Sequence, residues 1–174
     1  LNCPTAGGLQ DAIAAAKLDY TKVTNLKITG EINDIDFNFM NYSMKALEAL
    51  NLKEVTIAKS GTINPGEKDE IPMGAMQNTK LNYLVLPDRL KSIYSNAFYN
   101  CKYLVGSLVI PEGVEVIQEY AFDGCSSLDG TLTLPSTLKE IRDGAFRSCS
   151  SLTGELTLPE GLEKIGAQAF HDCR

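Results

Sequence analysis

Cys101, Cys125, Cys149 and Cys173 recur every 24 residues, and a row of evenly spaced thiols admits three chemistries. Stacked neighbours fall within the Cα range that a disulfide tolerates. Clustered thiolates bind metals, and a protonated thiol also serves as a small apolar core residue. Side chains in one column of a repeat run parallel, which keeps their Cβ atoms about one repeat apart instead of converging to the roughly 3.8 Å of a disulfide. Free, buried thiols are therefore the expectation, with a disulfide or a metal as the alternatives. Cys3 stands outside the row, either as a free thiol at a frayed terminus or as a remnant close to a lipid attachment site.

His171 is the single histidine. It lies in an outward column with Tyr99, Asp123 and Arg147, and no serine or cysteine stands ready for it to activate, because Cys173 belongs to the inward row. Asn33, Asp34 and Asp36 offer oxygen ligands for calcium, but a cation loop needs further carboxylates at fixed spacing, so Asp36 is expected to cap a helix. No nucleophile, base and orienting group come together. The sequence points to no enzyme, no catalytic residue, no cofactor and no resident metal.

The elements that would carry these residues follow from the period. Pro87, Pro111, Pro135 and Pro159 share a column, as do Ala97, Ala121, Ala145 and Ala169, with Phe98, Phe122, Phe146 and Phe170 beside them. Such self-similarity is the signature of a solenoid. In the coil 108–131 the positions that stay apolar in every copy are Leu108, Ile110, Val114, Ile117, Ala121, Phe122, Cys125 and Leu128, and these should face inward. Leu108 and Ile110 flank Val109 in the period of a half-buried strand that Pro111 stops. Pro-Glu-Gly gives a turn, and residues 114–117 a second extended piece. The spacing of Ala121, Phe122, Cys125 and Leu128 predicts a short helical turn.

The run strand, Pro, apolar pair, then AFxxCxxL, present as AFYNCKYL, AFDGCSSL and AFRSCSSL, resembles the BspA-like leucine-rich repeats of bacterial and some protist surface proteins. The likeness covers 81–173. Ile71 to Pro87 looks like a degenerate copy with Met76 for the phenylalanine and Thr79 for the cysteine, and the segments 22–37 and 47–57 resemble the lead-in of Bacteroides-type members. The fold implied is an α/β solenoid: a right-handed superhelix of 24-residue coils with parallel strands on one face and a helical amino-terminal cap. The resemblance implies export and a role in adhesion or ligand binding.

Before the regular coils, Leu9, Ala12, Ile13 and Ala16 recur at helical spacing behind Thr5 or a nearby glycine as N-cap, a helix expected to lie across the first coil. Asp36 is expected to open a second helix with Met40, Met44 and Leu47 on its inner face. Six parallel strands are predicted, at 26–28, 55–57, 84–86, 108–110, 132–134 and 156–158. Lys59 to Pro72, rich in Gly, Pro, Asn and charge, reads as a surface loop. The whole is expected to be one domain: cap and lead-in over 1–57, loop and degenerate repeat over 58–80, regular repeats over 81–174.

With 44% apolar residues, no Trp and a formal charge of −6, the chain can form one continuous core, and its acidity argues against nucleic acid and anionic membranes as partners. No apolar run is long enough to insert in a bilayer. Two surfaces stand out. One is the outward face of the strands, whose columns read Asn25, Glu54, Tyr83, Ser107, Thr131, Glu155 and Lys27, Thr56, Val85, Val109, Thr133, Thr157; Thr and Val there are also ordinary strand choices. The other is a tyrosine surplus, Tyr94, Tyr99 and Tyr103, in columns that are polar in later coils. It forms either a contact patch or a seat for the 59–72 loop. The expected function is a non-enzymatic protein-binding or adhesion module, extracellular or on the cell surface, holding a host extracellular protein or a bacterial envelope component. The alternative is a structural spacer that displays another domain. Since the last coil stops at Arg174, before its next inward leucine position, it is expected either to continue or be capped in a longer protein, or to self-associate through that end.

Overall fold

The computed structural model describes residues 1–59 and 68–173; residues 60–67, inside the expected surface loop, lie outside the described residues. The amino-terminal part comprises β1 (Asn2–Cys3), α1 (Leu9–Ala15), β2 (Asn25–Ile32), α2 (Asp34–Ser43) and β3 (Ala49–Ile57). Short strands follow: β4 (Glu70–Ile71), β5 (Tyr83–Val85), β6 (Ser92–Ile93), β7 (Leu108–Val109), β8 (Val116–Ile117), β9 (Leu132–Thr133), β10 (Glu140–Ile141) and β11 (Lys164–Ile165).

All the pairings are parallel. One side of the stack carries β1-β2-β3-β5 and then, separately, β7-β9. A second side carries β4-β6-β8-β10-β11. In the second ladder Ser92 faces Val116, Val116 faces Glu140 and Glu140 faces Lys164, so each coil there spans 24 residues. The coil that opens with β4 is two residues shorter, with Glu70 opposite Ser92.

The third side differs from the helical turn expected of it. N–H groups of Asn96, Phe98 and Asn100 donate to the carbonyls of Glu119, Ala121 and Asp123 one coil on, at 3.1, 2.8 and 2.7 Å. The intervening Ala97, Tyr99 and Cys101 donate within their own coil to Tyr94, Asn96 and Phe98. Two left-handed residues per coil produce this alternation: Asn96, Tyr120, Gly144 and Gln168 in one column (φ 58°, 57°, 61°, 56°), and Asn100, Gly124, Ser148 and Asp172 in the other (φ 55°, 76°, 56°, 60°). Each interrupts helical winding, so alternate N–H groups are left pointing along the stack. Tyr120 shows what the column demands of its neighbour, since a Cβ on Gly144 would lie 2.5 Å from the Tyr120 ring.

Within these three sides all eight inward positions of the 108–131 coil are buried. Phe98, Phe122, Phe146 and Phe170 stack with centroids 5.1, 5.4 and 5.4 Å apart and planes within 11°, in the range of offset stacking. The thiols of Cys125, Cys149 and Cys173 donate to the carbonyls of Phe98, Phe122 and Phe146 in the preceding coil at 3.3, 3.2 and 3.1 Å. Those carbonyls also accept the N–H of Cys101, Cys125 and Cys149, so both lone pairs of each are used. Cys101 donates to Met76 O at 3.0 Å, and Thr79, in the cysteine's place one coil earlier, donates its hydroxyl to the same oxygen at 2.8 Å. Burial pushes the Cys101 thiol up to about 11, and that of Cys125 well above its ordinary value.

Between the coils run two kinds of ion pair. Glu115 and Lys139 meet at 2.8 Å in solvent, a contact worth ~0.2–1 kcal/mol that fixes register more than it holds the fold. Asp123 is buried and is gripped by Arg147 through Nε at 3.2 Å and Nη2 at 2.7 Å, while the guanidinium lies 5.2 Å over the Tyr120 ring.

The lead-in departs from expectation in several places. The strand beside 84–86 is 49–51 rather than 55–57: Ala49 faces both Asn25 and Tyr83. A register shift between Lys27 and Thr29 lets the far half of β3 pair with residues 29–32, Thr29 facing Glu54 and Ile32 facing Ile57. Ile57 O then accepts from Asp69 N at 2.8 Å, handing the chain to the second ladder. Residues 156–158 form no strand, and Leu156 and Leu158 are exposed, because among the described residues they have a coil on one side only. Helix α2 opens at Asn33, with Asp36 as its third helical residue in a capping box. Asp36 also accepts from Gly7 N at 2.7 Å and Leu9 N at 2.8 Å, so the buried carboxylate takes three backbone donors and caps α1, whose own N-cap, Gly8, has no side chain to do so. Leu9 and Ile13 are buried under it, whereas Ala16 is exposed. Cys3 sits in β1 paired with β2, buried, and its thiol donates to Thr5 O at 3.3 Å, so it is not part of a frayed terminus.

Phe122→Ala should destabilise the protein by about 3–5 kcal/mol, the usual loss for a fully buried phenylalanine. Tyr103→Ser should cost little, since serine fills that column at Ser127 and Ser151. Denaturant titration of both variants tests this, and a Tyr103→Ser loss as large as that of Phe122→Ala would refute the column assignment.

The thiols give a second test. Cys101 loses its proton near 9.0 when unfolded but only at about 11 when folded. Its contribution is thus complete below pH 9 and declines as pH rises from ~9 through ~11. Urea midpoints should drop over that interval more in the native chain than in a Cys101→Ala chain, and thiol reagent at neutral pH should reach Cys3, Cys101, Cys125 and Cys149 only after unfolding. Rapid reaction of those four in the folded protein would contradict the hydrogen-bonded ladder.

Candidate partner-binding surface

On the outward face of the first ladder, side chains alternate out of the pleat. Tyr83 is 54% exposed and Val109 59% exposed; Thr131, Thr133, Glu155 and Thr157 are exposed, and Val85 is half-buried. The face is not flat. A cleft of ≈ 350 Å³ lies over Asn25, Leu26, Lys27, Ala49, Leu50 and Asn51 and ends on Tyr83. On the other side of Tyr83 a second, of ≈ 300 Å³, is lined by Lys53, Tyr83, Leu84, Val85, Leu86, Asp88, Ser107, Val109 and Pro111. A third, of ≈ 390 Å³, is lined by Glu112, Thr131, Leu132, Thr133, Leu134, Ser136, Glu155, Thr157 and Pro159.

The second and third clefts have a common cause. β5 pairs back to β3, whereas the N–H groups of Leu108 and Ile110 donate forward to Thr131 and Thr133 at 2.9 and 3.0 Å. No ladder joins β5 to β7, or β9 to 156–158, among the described residues. Clefts lie where those pairings are missing, and Tyr83 stands as the wall between the first two.

Charge is placed unevenly around the face. Lys27 pairs with Glu54 at 2.6 Å beside the first cleft, Lys53 and Asp88 flank the second, and the third carries Glu112 and Glu155. Glu112 is held in place by Ser136, whose N–H and hydroxyl donate to its carboxylate at 3.1 and 3.0 Å.

The tyrosines of the 92–104 coil are placed apart from this face. Tyr94 directly follows β6 and Tyr99 sits beside Phe98 on the third side, both half-buried, while Tyr103 is exposed at the turn leading to β7, with the Lys102 ammonium 5.4 Å over its ring. His171 Nδ1 lies 3.1 Å from Asp172 in solvent. Asn33 and Asp36 are committed to helix capping, and Asp34 is buried with Oδ2 unpartnered among the described residues. Among the described residues no group of three or more His, Cys, Asp or Glu converges as a metal site, and no helix is long and apolar enough to cross a membrane. Sequence reasoning placed Glu54 and Thr56 in the columns that Ala49 and Asn51 occupy, and it missed Lys53, Asp88, Glu112 and Ser136 at the clefts. Asp88, Glu112 and Ser136 share one signal, the position directly after Pro87, Pro111 and Pro135, whereas Lys53 lies inside β3 and has none.

Residues 69–174, more than half of the chain, match the family model described as a BspA type leucine-rich repeat region, in six copies. A leucine rich cell surface protein from Faecalibacterium prausnitzii A2-165 is 27% identical over 92% of this chain, with a TM-score of 0.62. The chain spans 38% of the length of that protein. A leucine-rich repeat protein of T. pallidum shares the fold at 21% identity and a TM-score of 0.51, over 83% of this chain and 67% of its own. No curated protein sequence matches. The stacked phenylalanine and cysteine columns, the parallel ladders that carry them and the match across 69–174 show that the chain belongs to the BspA-type leucine-rich repeat family.

Proposed function

We propose that this chain is a non-enzymatic protein-binding module of a bacterial cell-surface protein, and that it binds through the outward strand face centred on Tyr83. The observation that carries the reading is the pair Tyr83 and Val109, each more than half exposed, on either side of the cleft between β5 and β7. Large side chains held on a rigid scaffold with concave surface between them are how a solenoid face takes hold of a partner. Val85 adds to the wall of the same cleft, while Thr131, Thr133, Glu155 and Thr157 extend the face over the third. Tyr94, Tyr99 and Tyr103 would be a secondary contact region around the coil.

The cell-surface assignment draws on the F. prausnitzii relative, which is named as a cell surface protein. The partner would be a host extracellular protein or another envelope component. On this reading 1–174 is one domain, a right-handed stack of 24-residue coils closed at its amino end by α1. Its coils from 81 onward are the regular ones, and 1–57 and 58–80 serve as cap and transition.

Later coils supply the substitutions for a test. Ser107 occupies the column of Tyr83, and Thr133 that of Val109, so Tyr83→Ser with Val109→Thr removes the exposed bulk while using residues the fold already accepts. The double variant should melt with the parent and lose at least about tenfold in affinity, as for a hot-spot loss near 2 kcal/mol, for proteins captured from a bacterial envelope or extracellular-matrix extract. Lys164→Gln, on the second ladder, should lose nothing. Capture unaffected by the double variant would exclude the face as the binding surface.

A further inference from the structure

Away from the strand face, a cleft of ≈ 280 Å³ lies between the carboxyl end of α2 and the short coil that begins with β4. It exists because the phenylalanine row stops there: Met76 occupies the position that Phe98 takes in the next coil, its N–H donating to Ala97 O as that of Phe98 does to Ala121 O. Facing it from α2 and the turn beyond are Met40, Met44 and Leu47 rather than another aromatic ring. The rim carries two charged residues, Lys45 and Lys80, in a chain whose net charge is −6. Local charge therefore opposes the overall charge.

The polar groups at the cleft divide sharply. Asn41 Nδ2 donates to Gly74 O at 3.1 Å and the Thr79 hydroxyl to Met76 O at 2.8 Å, so both are engaged in the fold. Lys45 is positioned instead of satisfied. Among the described residues its ammonium donates once, to Asn41 O at 2.8 Å, and stands 5.6 Å over the exposed Tyr42 ring, which leaves further donors to aim at the cleft. The methionines are almost wholly buried, but their unbranched thioether chains re-pack at low cost around an apolar body.

We propose that this cleft binds a small amphipathic carboxylate, with its apolar chain among Met40, Met44 and Met76 and its carboxylate at Lys45 and Lys80. A cavity of this size admits on the order of ten non-hydrogen atoms at about 30 Å³ each. An ammonium pair supplies charge-assisted hydrogen bonds that a neutral alcohol of equal length cannot use in the same way.

The methionines themselves report the outcome. In methyl-labelled protein, Met40, Met44 and Met76 line the cleft while Met73, half exposed, does not. Octanoate, titrated below its micelle concentration, should shift the first three methyl signals along saturable curves and leave Met73 in place. Octan-1-ol should bind at least about tenfold more weakly, the factor expected when a hydrogen bond to a charged group is lost. In the Lys45→Gln/Lys80→Gln chain octanoate should lose that advantage while the four signals of the unliganded protein stay near their positions. Three results overturn the proposal: no saturable shift at the three methionines, movement of all four together as in surfactant adsorption, or an octanoate preference that survives removal of both lysines.

Discussion

A coil of about twenty-four residues has too little interior to enclose a phenylalanine ring, and the whole architecture follows from that shortage. Phe122 and Phe146 are each covered by the ring before and the ring after, 5.1–5.4 Å away, so burial is a property of neighbouring coils and not of any one coil. Sharing of this kind requires every side of the coil to climb at the same rate. Strands do so at roughly 4.8 Å per step. The third side, which has no strand, reaches the same rise through its turns, because two left-handed residues per coil free alternate N–H groups to bond to the next coil.

The same constraint explains why sulfur recurs. Inside the stack each phenylalanine carbonyl has one lone pair taken by its own coil and a second facing the coil above. A thiol answers the second with little desolvation, being a weak donor that otherwise behaves as an apolar group. Where the row begins, Met76 O takes the Thr79 hydroxyl from its own coil and the Cys101 thiol from the next. The buried carboxylates are treated no less strictly. Asp36 takes three backbone N–H donors and joins the starts of α1 and α2, and Asp123 takes a two-pronged grip from Arg147.

What could be read from the residues was what recurs. The eight apolar columns of the 108–131 coil needed only the period to be assigned inward, and all eight are buried. Where repetition fails, reading fails with it. Leu50–Leu52 and Val55–Ile57 alternate equally well with polar neighbours, and only the pairing of β3 on both sides distinguishes them. The spacing of Ala121, Phe122 and Cys125 fits a helical face, yet Asn96, Gly144, Asn100 and Gly124 in two fixed columns were a legible sign of left-handed backbone instead. Cys3 had no column to place it. The clefts were invisible for a different reason: those on the strand face arise from ladder bonds that are not made, and an absent pairing leaves no mark on residue type.

The direction of the bonds between coils bears on how this chain would respond to load. Ladder bonds on all three sides point along the stacking axis, so tension on the two ends opens them one after another at the terminal coil and does not shear a whole strand at once. Each coil that comes away from the 24-residue register releases about 80 Å of extended chain, at ~3.3–3.6 Å per residue. Such a stack yields in even steps at low force, lengthening like a tether whose remaining coils keep their form.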